Sequence, residues 1–284
     1  IDALLRSYEG VIAADTGHIS VHEAGAIEFG GHKVLTLPQE NGKITASQIC
    51  ALLDQYEDDA NRDHTVMPGM VYLSQPTEYG TLYSKKELAA ISALCREKRL
   101  PLYIDGARLA YALACPENDV TLRDLAALCD IFYIGGTKCG ALLGEAVVIP
   151  QPGLIPHFFT IIKQHGALLA KGRLLGIQFD TLFTDGLYER IGKDAVRYAD
   201  AIRRAMAENG YLPCFPSPTN QSFCIVSEQQ RKELAERVDF SVWEQYDETH
   251  SIIRFATSWA TREEGVNALC RILRECAAQE KVAS

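Results

Sequence analysis

Lys138 lies in FYIGGTKCGALLGEAVVI, residues 132–149, a single amine among small residues directly after an apolar run. The flanking glycines allow a tight turn whose backbone comes close to a bound group. An amine in such surroundings is partly desolvated, which disfavours its charged form and makes it a better nucleophile toward an aldehyde. Asp105 opens a second stretch, Asp-Gly-Ala-Arg, at the end of PLYIDGAR. A carboxylate at an apolar strand end can hydrogen-bond a buried cationic nitrogen, and Arg108 is a planar donor suited to a carboxylate or a phosphate. Taken singly, each has a plainer reading: a surface lysine in a glycine-rich loop, and an Asp–Arg pair capping a turn. Taken together they match a specific requirement. A lysine that condenses with an aldehyde and an aspartate that keeps a pyridine nitrogen protonated are what a pyridoxal phosphate site needs from its protein.

These residues need elements that bring them together. VIAAD (residues 11–15), HKVLTLP (32–38), PGMVYLS (68–74), PLYID (101–105), DIFYIGG (130–136) and GEAVVIP (144–150) read as strands. Helices fall between them. One starts after Thr45 or Ser47, one after Ser84 with Glu87 at the capping-box spacing, and one runs through TLRDLAALC. This alternation predicts an α/β fold, a mostly parallel sheet with helices on both faces. Ligands gather at the carboxyl ends of such strands, and His18, Asp105 and Lys138 all stand at or just after one. A helix is expected over residues 168–183 and a long one from 187 to a stop at Gly210. Further strands and a closing helix then form a smaller α+β unit. We therefore expect a large domain at 1–185 and a small one at 186–284. At the amino end, IDALLRSYEG reads as the end of an amphipathic helix closed by Gly10.

The bulk composition narrows the function classes. The chain has 284 residues, 47% of them apolar, enough to bury a sizeable core. A net charge of -9 argues against nucleic acid as a partner. No apolar run is long enough to span a membrane, and no signal peptide is visible. Nine cysteines without a Cys-x-x-Cys pair point to thiols in a reducing cytoplasm. His18 and His22 share i,i+4 spacing, but no third ligand is evident, so no metal site is expected.

Four segments in this order carry a family resemblance: DTGHISVHEAGAIE, YIDGARLAYAL, GGTKCGALLGEAVVI and IIRFATSW. Together they resemble the low-specificity threonine aldolases of the β-eliminating lyase group, within the fold-type-I pyridoxal phosphate enzymes, along the whole chain. The resemblance implies Lys138 as the Schiff-base lysine and Asp105 as the partner of the ring nitrogen. His18 would lie over the ring, and Arg108 and Arg254 would hold the substrate carboxylate. Thr137 would touch the cofactor phosphate. Lys171 and Arg173 would approach a phosphate across a dimer interface, in a homodimer or homotetramer.

Two departures from the family pattern stand out. Where the family has a histidine in a Thr-His-x-Gly setting, this chain has PTEYG, which puts Glu78 there as a base or a water-orienting group. The family's Gly-Thr-x-x-Asn phosphate cradle is expected in a segment upstream of the position matching Ile1. The activity implied is cleavage of the Cα–Cβ bond of a threonine-like β-hydroxy-α-amino acid to glycine and an aldehyde. β-Elimination or transamination on another amino acid is the alternative that Glu78 keeps open, and a non-catalytic assembly partner is the third.

Overall fold

The computed structural model describes residues 1–283, with side chains through Ala277. Six strands form the larger sheet: β1 (Glu9–Ala14), β2 (Val34–Leu37), β3 (Met67–Ser74), β4 (Leu102–Asp105), β5 (Ile131–Ile134) and β6 (Ala146–Val148). Their order is β2-β1-β3-β4-β5-β6, parallel throughout except for the β5–β6 pair. From Pro68 onward every residue of β3 is buried, as a central parallel strand with both faces covered should be. Alternation along the strands divides the core. Ile12, Val71, Leu73 and Ile104 face one side, and Val11, Ala13, Met70 and Tyr72 face the other.

The first face is covered by α3 (Ala46–Asp58), α4 (Lys85–Lys98), α5 (Leu109–Ala114) and α6 (Leu122–Leu128). Three of these begin with complete capping boxes: Thr45 with Gln48, Ser84 with Glu87, and Thr121 with Asp124. The second face carries the short helices α1 (His18–Val21) and α2 (Ala26–Phe29) and the first turns of the chain. Beyond β6 come α7 (Phe158–Gln164), α8 (Arg173–Phe183) and α9 (Leu187–Glu208). A second, antiparallel sheet has the order β7-β8-β10-β9, from β7 (Leu212–Pro213), β8 (Gln221–Ser227), β9 (Ser241–Gln245) and β10 (His250–Ala256). With α9, α10 (Glu228–Ala235) and α11 (Glu263–Ala283) it encloses its own core, which includes Met206, Val226, Ile253 and Leu273. Among the described residues, no helix is long and apolar enough to cross a membrane.

The opening segment departs from the expected helix. Residues 1–8 form turns, and β1 already begins at Glu9. Gly10 serves strand packing there: a Cβ at this position would lie 2.7 Å from the Lys33 carbonyl oxygen of the neighbouring chain segment. The helix expected over 168–183 starts later, at Arg173, and α7 ahead of it was not anticipated.

Candidate active site

The carboxyl ends of β1, β3, β4 and β5 converge where the strand order reverses between β1 and β3, the place where open α/β sheets bind ligands. A cavity of about 200 Å³ opens there, lined by His18, Glu23, Ser74, Glu78, Asp105, Arg108, Tyr133, Thr137, Lys138 and Glu145. All but Glu23 lie within a few residues of a strand end, so backbone pairing sets their spacing. The Asp105 and Lys138 turns lie against each other, and a Cβ at Gly135 would come to 2.2 Å from the Ala107 carbonyl oxygen.

Lys138 sits in a 3-10 turn, Thr137–Cys139, which ends at Gly140 with φ +102. Side chains brace this turn. Tyr188 donates to the Gly135 carbonyl at 2.8 Å, and Tyr111 donates to the carbonyl of Lys138 itself. Glu145 accepts from the Gly136 N–H and, at 2.7 Å, from the Thr137 hydroxyl. The Lys138 amine has no ion-pair partner among the described residues. Burial, and next the neighbouring Arg108, pull its pKa below the ordinary lysine range, partly offset by Asp105 and Glu145. Both leading causes favour the neutral, nucleophilic amine.

Asp105 ends β4 and is buried. The Ala107 N–H donates to its Oδ1 at 2.9 Å, and the Tyr72 hydroxyl donates to its Oδ2. Glu78 is also buried; it accepts from the Ser74 hydroxyl at 2.6 Å and from the His18 N–H at 2.8 Å. Burial raises its pKa, moving a carboxyl group toward the range of a general base at neutral pH. His18 Nδ1 meets Glu23 Oε1 at 2.5 Å, which fixes the orientation of the ring.

Arg108 lines the cavity, whereas Arg254 stands outside its lining, near enough to feel the Arg108 charge; neither has a carboxylate ion-paired to it among the described residues. Burial lowers the pKa of both, and the Arg108 charge helps bring Arg254 to about 10. Arg254 extends from β10 over the Trp243 ring at 4.6 Å. It donates to Gln221 Oε1 at 3.0 Å and to Ser241 Oγ at 3.2 Å, and its Nε is buried without a partner. Gln221 is fully buried and also donates from Nε2 to the Glu78 carbonyl at 3.1 Å. One amide thus ties the loop after β3 to the arginine of the second sheet.

His18, Glu78, Asp105, Arg108, Thr137 and Lys138, all singled out from sequence, come together around one cavity. Lys171 is exposed in the turn before α8 and does not line it. Glu145, Tyr72, Tyr133 and Gln221 escaped the sequence reading. For Tyr72 a signal existed, because alternation in MVYLS puts it on the same face as Ser74. Gln221 gives none, since its partners are far away in the chain. No group of three metal-ligating side chains occurs among the described residues.

Comparison with known proteins agrees with this geometry. The family model described as β-eliminating lyase matches residues 1–237. The chain is 34% identical over 281 residues to the low-specificity L-threonine aldolase of Pseudomonas sp. (strain NCIMB 10558), covering 96% of this chain and 78% of that one. It superimposes on the threonine aldolase of Leishmania major with a TM-score of 0.92 at 43% identity, covering 97% of this chain and 80% of that one. A more distant likeness, of fold alone, is to histidinol-phosphate aminotransferase from Sinorhizobium meliloti, solved with pyridoxal 5'-phosphate. There the TM-score is 0.68 at 16% identity, covering 98% of this chain and 73% of that one. With its strand-end lysine and aspartate, the parallel sheet behind them and these relatives, the chain belongs to the β-eliminating lyase family.

Proposed function

We propose that this protein is a pyridoxal phosphate-dependent lyase that cleaves the Cα–Cβ bond of threonine-like β-hydroxy-α-amino acids, releasing glycine and an aldehyde. The observation that carries this reading is the pairing of Lys138 and Asp105 on adjacent strand ends in one cavity, which the Arg108 guanidinium also lines. A buried carboxylate for a ring nitrogen and an unpaired amine for an aldehyde fit this cofactor. When bound, the cofactor supplies the electron sink that makes the bond to Cα breakable. Asp105 would hold the cofactor at its ring nitrogen, and Lys138 would hold it at its aldehyde end. The Thr137 hydroxyl is proposed for the phosphate, and Lys171 for the phosphate in a partner's site.

Arg108 and Arg254 clamp the substrate carboxylate, which turns the scissile bond relative to the ring. The orphaned Nε of Arg254 supports this assignment, because a carboxylate can accept from two guanidinium nitrogens at once. Glu78 accepts the proton of the β-hydroxyl. Its raised pKa suits that task, and the Ser74 and His18 donors steady the carboxylate once it is ionised. His18, oriented by Glu23, packs over the bound ring.

Two units, 1–185 and 186–284, are proposed from the two sheets and their cores, with α9 joining them: Tyr188, Ala195 and Val196 pack in the first core, and Ile202 and Met206 in the second. We also propose a homo-oligomer in the cytoplasm. The unpaired cysteines fit a reducing compartment, and the exposed apolar side chains of Leu142, Leu143, Leu174 and Ile177 fit a covering copy.

The test is product analysis with the cofactor-loaded protein and threonine. Glycine and an aldehyde in equal amounts are expected, with loss of both in Lys138→Ala. Ammonia and a keto acid in their place would overturn the aldolase reading in favour of elimination, and inactivity of the loaded protein toward β-hydroxy-α-amino acids would also overturn it.

A further inference from the structure

Asp105 is held more firmly than a lone acid at a strand end would be. It ends the central strand β4, and a tyrosine comes to it from each neighbouring strand. Tyr72 of β3 is 4% exposed and donates its hydroxyl to Asp105 Oδ2. Tyr133 of β5 lines the cavity and sets its phenol against the same carboxylate. The Ala107 N–H takes Oδ1 at 2.9 Å. Tyr103 of β4 stacks on Tyr72 with ring centroids 5.4 Å apart and meets Tyr133 edge-on at 6.3 Å, so neither phenol has a free rotor. Burial, and after it the Asp105 charge, drive the pKa of both Tyr72 and Tyr133 far above the ordinary tyrosine range. Both therefore remain donors at every working pH.

We propose that Tyr72 and Tyr133 are positioning residues that act through Asp105, fixing the plane of its carboxylate toward a bound pyridine nitrogen. The proposal rests on the cofactor reading above. Its physical basis is general. A carboxylate that accepts a hydrogen bond on each oxygen cannot swing about its side-chain bond and keeps one orientation. The Tyr72 hydroxyl and the Ala107 N–H take one oxygen each, and Tyr133 closes the cavity side. The other charged or titratable groups that face Asp105 are Glu78 from the loop after β3, Arg108 from the start of α5, Tyr103 within β4 and Lys138 from the turn after β5.

The experiment uses the full chain in two forms. In cofactor-free protein, a carboxyl-¹³C aspartate label assigned through Asp105→Asn reports the hydrogen bonding of that carboxylate. Tyr72→Phe is expected to move its resonance, and the double variant with Tyr133→Phe to move it further. In protein loaded with ring-¹⁵N pyridoxal phosphate, the nitrogen resonance is expected to move away from the protonated position in both Phe variants. Replacing Tyr72 with 3-fluorotyrosine, a stronger donor of nearly the same shape, should move both readouts the opposite way, and it serves if Tyr72→Phe fails to fold. An unchanged Asp105 resonance together with an unchanged nitrogen resonance overturns the proposal. If Lys138→Ala holds the cofactor with the same absorbance as wild type, the cofactor reading itself has failed. The ¹³C spectrum then still decides whether the phenols hold Asp105.

Discussion

Lys138 and Glu78 are both held in unfavourable ionisation states, and each makes a testable prediction about stability. The folded pKa of Lys138 lies below its ordinary value of 10.5. At high pH neither the folded nor the unfolded chain carries the proton, so burial costs nothing electrostatic. As pH falls through the folded value the native state must hold a cation beside Arg108, and stability is lost. Lys138→Met is therefore expected to raise the melting temperature of cofactor-free protein at pH 7 and to lose that advantage near pH 10.5. Glu78 has the opposite sign, with a folded pKa above its ordinary 4.5. Its stability contribution is full at acid pH and is lost as pH rises through the folded value. Glu78→Gln keeps an oxygen for both donors, so it should stabilise the protein at neutral pH, with the gain vanishing toward pH 4.5. Thermal melts across that range check the sign. For catalysis, the same variant removes the proposed base, and a fall in kcat of roughly a hundredfold or more is expected.

Between elements, the contact to probe is the Gln221 bridge. Its amide accepts from Arg254 and donates to the Glu78 carbonyl, so it sets the second sheet relative to the β3 loop. Gln221→Met keeps the volume and removes both bonds. Losing a hydrogen bond to a charged group costs about 1.5 kcal/mol or more, so KM for the amino acid should rise roughly tenfold. An unchanged KM in steady-state kinetics would show that Arg254 holds its place without the bridge. Much at this scale could be read from sequence, because local chemistry decides it. Ser84 and Glu87 form a capping box in the chain and in the fold, and of Thr45 and Ser47 the fold takes Thr45 as the N-cap. Strand ends placed His18, Asp105 and Lys138 correctly because apolar runs stop where polar chemistry begins. The failures have equally definite causes. Ile1, Leu4, Leu5 and Tyr8 have helical spacing, yet the same residues serve as turns, with Leu5 packed on the sheet's second face. Gly10 looked like a helix stop, but what removes its side chain is the Lys33 carbonyl, a contact with no local sequence signature. Glu145 and Gln221 act through partners that only the fold supplies.

At the scale of the whole molecule, the apolar surface is unevenly distributed. Leu142 is 90% exposed, and Leu143, Phe159, Leu168, Leu169, Leu174 and Ile177 are exposed as well, all along the β5–β6 turn and the segment of α7 and α8. Exposed apolar side chains along this stretch, next to the Lys138 turn, would be covered in the homo-oligomer proposed above. Leu174→Glu together with Ile177→Glu is expected to lower the oligomeric state in sedimentation while the monomer stays folded by circular dichroism. Retention of the wild-type sedimentation coefficient would assign the assembly surface elsewhere.

The placement of Arg254 on β10 has a consequence for synthesis. A ribosome delivers the amino end first, so Asp105 and Lys138 emerge more than a hundred residues ahead of the arginine proposed to bind substrate. The nascent chain thus carries the proposed cofactor-binding pair before it carries the arginine proposed to select the substrate.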